Sequence, residues 1–150
     1  MASKGLVVTV QVDGARETLA AFRALPKDAN NELRDASLKL ATVLAGRAQT
    51  SARAEGRQGR ILAPTVKARR DRLPVIEAGG TKRIGRNRKP AWKLLFGSEF
   101  GSNRLRQFKP HLGSGSYWFF RTIEDNQAYT DQEWRRAADA VIRAFSAGGA

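Results

Sequence analysis

The order of hydrophobic and polar positions near the N-terminus predicts one strand followed by a short helix. Residues 6–12 are rich in β-branched side chains and partly alternate, as is typical of a β-strand. From Asp13 to about Leu25 apolar side chains recur at near-helical spacing, and Asp13 is suited to cap this helix. Pro26 ends the helix and is well placed to begin the next one, because proline is tolerated in a first helical turn.

A long amphipathic helix is predicted over residues 28–52, which contain no proline and a single glycine. Such a helix is about 35 Å long, since each helical residue adds ~1.5 Å. Its predicted packing face consists of Leu33, Ala36, Leu40, Val43, Leu44 and Arg47. We expect this helix to cover one side of a small sheet.

The C-terminal segment predicts a second amphipathic helix. Residues 130–133 match the capping-box pattern, in which the Thr130 hydroxyl and the Glu133 carboxylate each accept a bond from the other's backbone amide. The apolar stripe that follows consists of Trp134, Ala138, Val141, Ile142 and Phe145. Gly148 and Gly149 are expected to end this helix.

The middle of the chain predicts the rest of the sheet. Residues 64–69 and 73–78 form a candidate antiparallel pair with a turn between them, in which Pro74 must lie at an edge or a strand start. Residues 91–97 are a fourth element, either strand or helix, because their periodicity does not decide. The prediction is a single α+β domain over residues 1–150. Its small, mainly antiparallel sheet of three or four strands is packed by the long N-terminal helix and the C-terminal helix.

Positive charge is concentrated in the centre of the chain. The net charge is +13, and residues 53–109 hold sixteen basic against four acidic side chains. Glycine and proline are frequent there, so residues 79–91 are predicted to form a basic, loop-rich insertion. The side chains expected to face a partner or DNA are Lys82, Arg83, Arg86, Arg88 and Lys89. This balance predicts a polyanionic partner, either a nucleic acid or an acidic protein surface.

A nucleic-acid-binding function is the alternative that this charge leaves open. Lysine and arginine can contact phosphates without reading sequence. Residues 53–109 contain neither a helix-turn-helix pattern nor zinc-finger spacing, and residues 53–91 contain no aromatic side chain for base stacking. The segment therefore predicts sequence-nonspecific binding at most.

The residues that catalysis or metal binding would need are scarce. The chain has no cysteine and a single histidine, His111, within a proline-containing loop. No phosphate-binding glycine motif with the required spacing is present. We therefore expect no enzyme activity, no metal and no cofactor. The first residues lack the apolar run of a signal peptide and no stretch is long enough to span a membrane, so we expect a soluble protein without membrane contact.

Four consecutive aromatic side chains, residues 117–120, form the most unusual pattern in the chain. Four adjacent rings cannot all face one core from a helix or a strand. Exposed aromatic area often marks a protein interface. We expect Trp118 and Phe119 to lie partly in the core and partly in an interface, with Tyr117 covering the rim of the core.

The order of these motifs resembles the tail-completion, or tail-to-head joining, proteins of long-tailed bacteriophages. The matching segments are residues 65–69, 73–80, 94–101, 107–111 and 117–123, followed by a closing helix. The most specific part is Phe96-Gly97-Ser98-Glu99-Phe100-Gly101, followed by a proline-containing loop and the aromatic run. The basic segment 81–89 has no counterpart in this resemblance.

The resemblance implies a structural virion protein of the phage neck. Such proteins are assembled in the host cytoplasm and form a homo-oligomeric ring, often hexameric, that joins the tail tube protein to the head–tail connector or stopper protein, with genomic DNA in the channel. Within such a ring we expect the interface residues to be Glu99, Phe100, Trp118 and Phe119. Glu99 is expected to orient its turn or to pair with an arginine of a neighbouring subunit, the alternative being a solvent-exposed turn acid.

Overall fold

The fold is α+β, as predicted. The computed structural model describes residues 5–103, 108–109 and 116–148, so His111 and Gly149, both named in the sequence predictions, lie outside the described residues. The elements in chain order are β1 (Gly5–Thr9), α1 (Ala15–Phe22), α2 (Lys27–Glu55), α3 (Arg57–Leu62), a 3-10 turn (Ala63–Thr65), β2 (Lys67–Arg69), β3 (Val75–Gly79), β4 (Arg83–Ile84), β5 (Lys89–Pro90), α4 (Ala91–Phe100), α5 (Phe119–Asp125) and α6 (Gln127–Gly148).

The main sheet has three antiparallel strands in the order β1-β3-β2. Val8 and Ala68 both pair with Ile76 of the central strand, and Ile76 is fully buried beneath the helices. Val7 pairs with Glu77 on the opposite, more exposed face. The predicted antiparallel pairing of the two middle strands is therefore confirmed, and the N-terminal strand joins them.

The predicted basic loop contains a second, two-stranded sheet. Strands β4 and β5 pair antiparallel and form a hairpin whose turn includes two residues with positive φ, Gly85 and Arg88. Two backbone bonds attach its base to the rest of the fold. The amide of Ala91 donates to the carbonyl of Lys82 at 2.8 Å, and that of Trp92 donates to Gly80 at 2.9 Å.

Helix α2 begins directly after Pro26, as predicted, and its 29 residues make it about 43 Å long. The predicted packing face of α2 is only partly confirmed, because Val43 is 42% exposed and Arg47 is exposed. Small side chains take their place on the buried face, which consists of Ala29, Leu33, Ser37, Leu40, Ala41, Leu44, Ala45, Ala48 and Ala52. The alanines let neighbouring elements approach this helix closely.

The buried side chains form two clusters along α2. The first surrounds its C-terminal half and includes Ile76, Leu95, Trp118 and Phe119. The second surrounds its N-terminal half, against α1 and α6, and includes Trp134. The Trp134 indole N–H donates to the carbonyl oxygen of Arg72 at 2.8 Å, so this polar atom is satisfied in the core.

Both helix caps predicted from the sequence are wrong. Helix α6 begins at Gln127, three residues before Thr130, because α5 ends only two residues earlier. The Thr130 hydroxyl donates to the carbonyl of Asn126 at 2.8 Å inside the helix instead of capping it. At α1 the N-cap is Gly14, without a side-chain bond, and the Asp13 amide donates to the Asp131 carboxylate at 3.2 Å.

The apolar stripe of α6 is confirmed: Trp134, Ala138 and Val141 are buried, and Ile142 and Phe145 are half-buried. None of the helices in the described part of the chain has an apolar stretch long enough to cross a membrane.

Candidate functional site

Residues 91–100 fold as helix α4, which decides the alternative that the sequence left open. Glu99 lies in its last turn and is fully buried. The interpretation of Glu99 as a solvent-exposed turn acid is therefore wrong. A carboxylate in such a position needs strong hydrogen-bond partners, since an unpaired buried charge is costly.

The Glu99 carboxylate caps helix α5 from a different element. Its Oε1 accepts bonds from the backbone amides of Trp118 and Phe119, at 3.0 and 2.7 Å. Its Oε2 accepts bonds from the amide of Phe120 and the hydroxyl of Ser116, both at 2.7 Å. The first amides of a helix have no partner within the helix, and a negative charge there also complements the helix dipole.

Two further bonds tie α4 to the aromatic run. The backbone amide of Tyr117 donates to the carbonyl oxygen of Glu99 at 2.8 Å. The Trp118 indole N–H donates to the Ser98 hydroxyl at 2.9 Å. The end of α4 and the start of α5 are therefore one hydrogen-bonded unit, which we call the Glu99 cap (Ser98, Glu99 and residues 116–120).

The Glu99 cap separates the predicted interface residues into two groups. Trp118 and Phe119 are buried in the core of the domain, so neither contributes exposed area to a contact with another molecule. Phe100 and Phe120 are half-buried, and their rings stack at 6.0 Å. Tyr117 is also half-buried and packs against the core, as predicted, so the aromatic run has a buried centre, Trp118 and Phe119, between two half-buried ends.

The sequence analysis did not predict that the aromatic side chain of Phe96 is exposed. Phe96 is 39% exposed and its ring stacks on that of Phe100 at 6.3 Å. Its spacing of four residues from Phe100 is the sequence feature that could have indicated this, because residues four apart lie on one face of a helix. Phe96, Phe100 and Phe120 form a continuous row that we call the aromatic row.

The five basic residues predicted to face a partner are all exposed on or beside the β4–β5 hairpin. Arg83 is partly engaged within the hairpin, where its guanidinium donates to the carbonyl oxygen of Arg88 at 2.9 Å. Arg86 and Lys89 instead line a groove of about 740 Å³ between the hairpin, α3 and α4. We call it the basic groove.

The basic groove combines a charged rim with an apolar floor. Two further basic residues from the helices, Arg57 and Lys93, lie on its rim. Its apolar lining consists of Ile61, Ile84, Leu94 and Phe108. Gly85 of the hairpin lies over this floor, since a Cβ built there would make ordinary van der Waals contacts with Leu94 at 3.7 Å and Ile61 at 3.9 Å.

The rim charges of the basic groove are not neutralised within the described part of the chain. None of the ion pairs found there involves Arg57, Arg86, Lys89 or Lys93. Among the described residues, these four cations therefore have no ion-pair partner, although Lys93 also lies over the Trp92 ring at 5.5 Å.

Gly97 is required for close packing between α4 and Phe108. A Cβ at Gly97 would lie 2.6 Å from Phe108 Cζ and closer to two other ring carbons. Gly97→Ala is therefore expected to lower the free energy of unfolding by about 1–2 kcal/mol, although alanine favours helices. In a Phe108→Ala background the same substitution should be neutral or stabilising, and a double-mutant cycle by urea denaturation measures this coupling. Equal effects of Gly97→Ala in both backgrounds would contradict the packing argument.

Within the described residues, no group of three or more His, Cys, Asp or Glu side chains is placed to hold a metal ion. No protein-family model matches this chain, and no curated protein or solved structure shows detectable similarity to it. Function must therefore be argued from the geometry of the Glu99 cap, the aromatic row and the basic groove.

Proposed function

We propose that this chain is a structural protein of the bacteriophage neck and that it forms a homo-oligomeric ring of six copies in the virion. The ring would join the tail tube protein to the head–tail connector or stopper protein. The observation that carries this proposal is the Glu99 cap. It binds together the two segments, 96–101 and 117–123, on which the resemblance to tail-completion proteins chiefly rests.

A ring protein needs two kinds of surface, one between subunits and one toward its axial neighbours. The aromatic row supplies exposed apolar area suited to the first. The basic groove supplies unpaired charge suited to the second, where charge guides association and partner choice. In this proposal Glu99, Trp118 and Phe119 act by holding the aromatic row in place, and Phe96 and Phe100 make the contact.

The test of this proposal is the substitution Phe96→Ser, which alters the exposed end of the aromatic row. We expect a folded protein that no longer supports joined heads and tails in a complementation assay. Each ring repeats the lost contact at every interface between its copies, so a loss of ~1 kcal/mol of binding free energy per contact adds up around the ring. Val43→Ser is the matched control, because Val43 is similarly exposed but lies on α2. Normal assembly with Phe96→Ser, or an equal loss with Val43→Ser, would contradict the proposal.

A sequence-nonspecific nucleic-acid-binding protein is the second candidate, and the four unpaired cations of the basic groove favour it. A salt titration of duplex binding separates the two functions. If all four cations contact phosphates, a plot of the logarithm of the binding constant against the logarithm of the salt concentration should have a slope of about −3.6. A neck protein should bind free duplex only weakly and without sequence preference, as expected of incidental contact with DNA in a channel.

A further inference from the structure

The basic groove has a chemical character that is more specific than positive charge. Cations occupy its rim, from the hairpin (Arg86, Lys89) and from the helices (Arg57, Lys93). Aliphatic side chains and Phe108 line its floor. A ligand that matches both parts carries negative charge at its ends and an apolar group at its centre.

A nucleic acid matches only the rim. Single strands bind proteins largely through bases stacked on exposed aromatic rings. Phe108 is the one aromatic side chain among the described residues that line the groove, and it is only 8% exposed, with its ring packed over Gly97. The rest of the apolar floor is aliphatic, which suits a leucine or phenylalanine side chain better than a phosphodiester.

A second copy of this chain is also a poor match. A groove-to-groove contact would place the four rim cations of one copy against those of the other, so like charge opposes it. The complementary partner is an acidic segment of a different protein.

We propose that the basic groove is the docking site for an acidic peptide segment of a partner protein, with an apolar anchor residue seated on Ile61, Ile84 and Leu94. Carboxylates on either side of the anchor pair with Arg57, Arg86, Lys89 and Lys93. The apolar anchor supplies most of the binding free energy, and the rim charges accelerate encounter and set orientation. This inference does not depend on the proposed role in a phage neck.

The probe is a short fluorescent peptide of Asp and Glu residues with a central Leu-Phe pair, and binding is measured by anisotropy. Its control is the same peptide with Ser-Ser at the centre, and a thymidine oligonucleotide tests the nucleic-acid alternative. We expect the Leu-Phe peptide to bind at least about tenfold more tightly than the Ser-Ser peptide, because one apolar side chain is buried. The oligonucleotide should compete poorly.

Arg86→Glu and Lys93→Glu test the rim of the groove. Both side chains are exposed, so the fold should be retained, as checked by circular dichroism. Each should weaken binding of the Leu-Phe peptide by at least about tenfold. Lys39→Glu is the matched control, since it makes the same change in net charge at an exposed position of α2, and it should leave binding nearly unchanged.

Three outcomes would overturn the proposal. Equal affinity for the Leu-Phe and Ser-Ser peptides would show that the floor is unused. Equal loss with Lys39→Glu would show that binding follows net charge alone. Displacement of the peptide by lower concentrations of oligonucleotide would assign the groove to nucleic acid.

Discussion

Replacing Glu99 with alanine should lower the free energy of unfolding by about 4 kcal/mol. Three backbone amides and the Ser116 hydroxyl would lose their acceptor inside the protein. Removing one partner of a buried, charged hydrogen-bond network typically costs ~3–5 kcal/mol, because the remaining groups stay desolvated and unpaired. Whole domains are stable by only ~5–15 kcal/mol, so this loss is a large share. Urea denaturation followed by circular dichroism measures it.

Two control variants separate the capping role of Glu99 from a general effect of removing a carboxylate. Glu99→Gln keeps one carbonyl acceptor but points an NH2 donor at amides that also donate, so we expect most of the loss to remain. Glu124→Ala removes an exposed carboxylate from the solvent side of α5 and should change stability by less than about 0.5 kcal/mol. Hydrogen exchange should also show that the amides of Trp118, Phe119 and Phe120 lose protection in Glu99→Ala. A loss below about 1 kcal/mol for Glu99→Ala would contradict the capping role.

The second large effect is expected where α3 packs against α2. Gly59 is buried, and a Cβ there would overlap the carbonyl oxygen of Ala52 and lie 2.8 Å from its carbonyl carbon. These are backbone atoms of a long helix, which cannot move aside as the end of a side chain can. Gly59→Ala is therefore expected to destabilise the protein by about 3 kcal/mol and to lower its melting temperature by several degrees.

Gly46→Ala is the matched control for this substitution. Gly46 is also a helical glycine, in α2, but apart from the neighbouring backbone of its own helix no atom lies within 4 Å of a Cβ built there. Alanine in an exposed helix interior should stabilise the protein by about 0.5–1 kcal/mol relative to glycine. Calorimetry should thus show opposite shifts of melting temperature for the same chemical change at two helical glycines. Shifts of the same sign would refute the assigned contact between α2 and α3.

Periodicity and β-branched content predicted six of the elements, β1, α1, α2, β2, β3 and α6, but not α3, α5 or the hairpin strands β4 and β5. Proline and the apolar spacing located the start of α2 and the stripe of α6, and the two middle strands paired as predicted. Both caps failed because each helix begins at a residue other than the predicted one: Gly14 is the N-cap of α1, and α6 begins at Gln127. Asp131 accepts a bond from the Asp13 amide, and α6 starts early because it follows α5 almost directly.

The Glu99 cap could not have been predicted from local pattern. Its acceptor and its donors are 17 to 21 residues apart, and nothing in the spacing shows that the end of one helix meets the start of another. The aromatic run suggested a divided environment, but only the helical start at Phe119 decides which rings are covered. The basic groove likewise depends on α3, α4 and the hairpin meeting in space. The sequence predicts that the cations of the hairpin face a partner, but not that they border a groove.

The location of this chain in assembled particles tests the central claim most directly. Phage particles purified from host cells that produce it should be labelled with a specific antibody and viewed by electron microscopy. The proposed neck function predicts label confined to the junction of head and tail, with a ring of repeated subunits at that position in averaged images. Particles with joined heads and tails that lack the chain, or label found only with free nucleic acid, would contradict it.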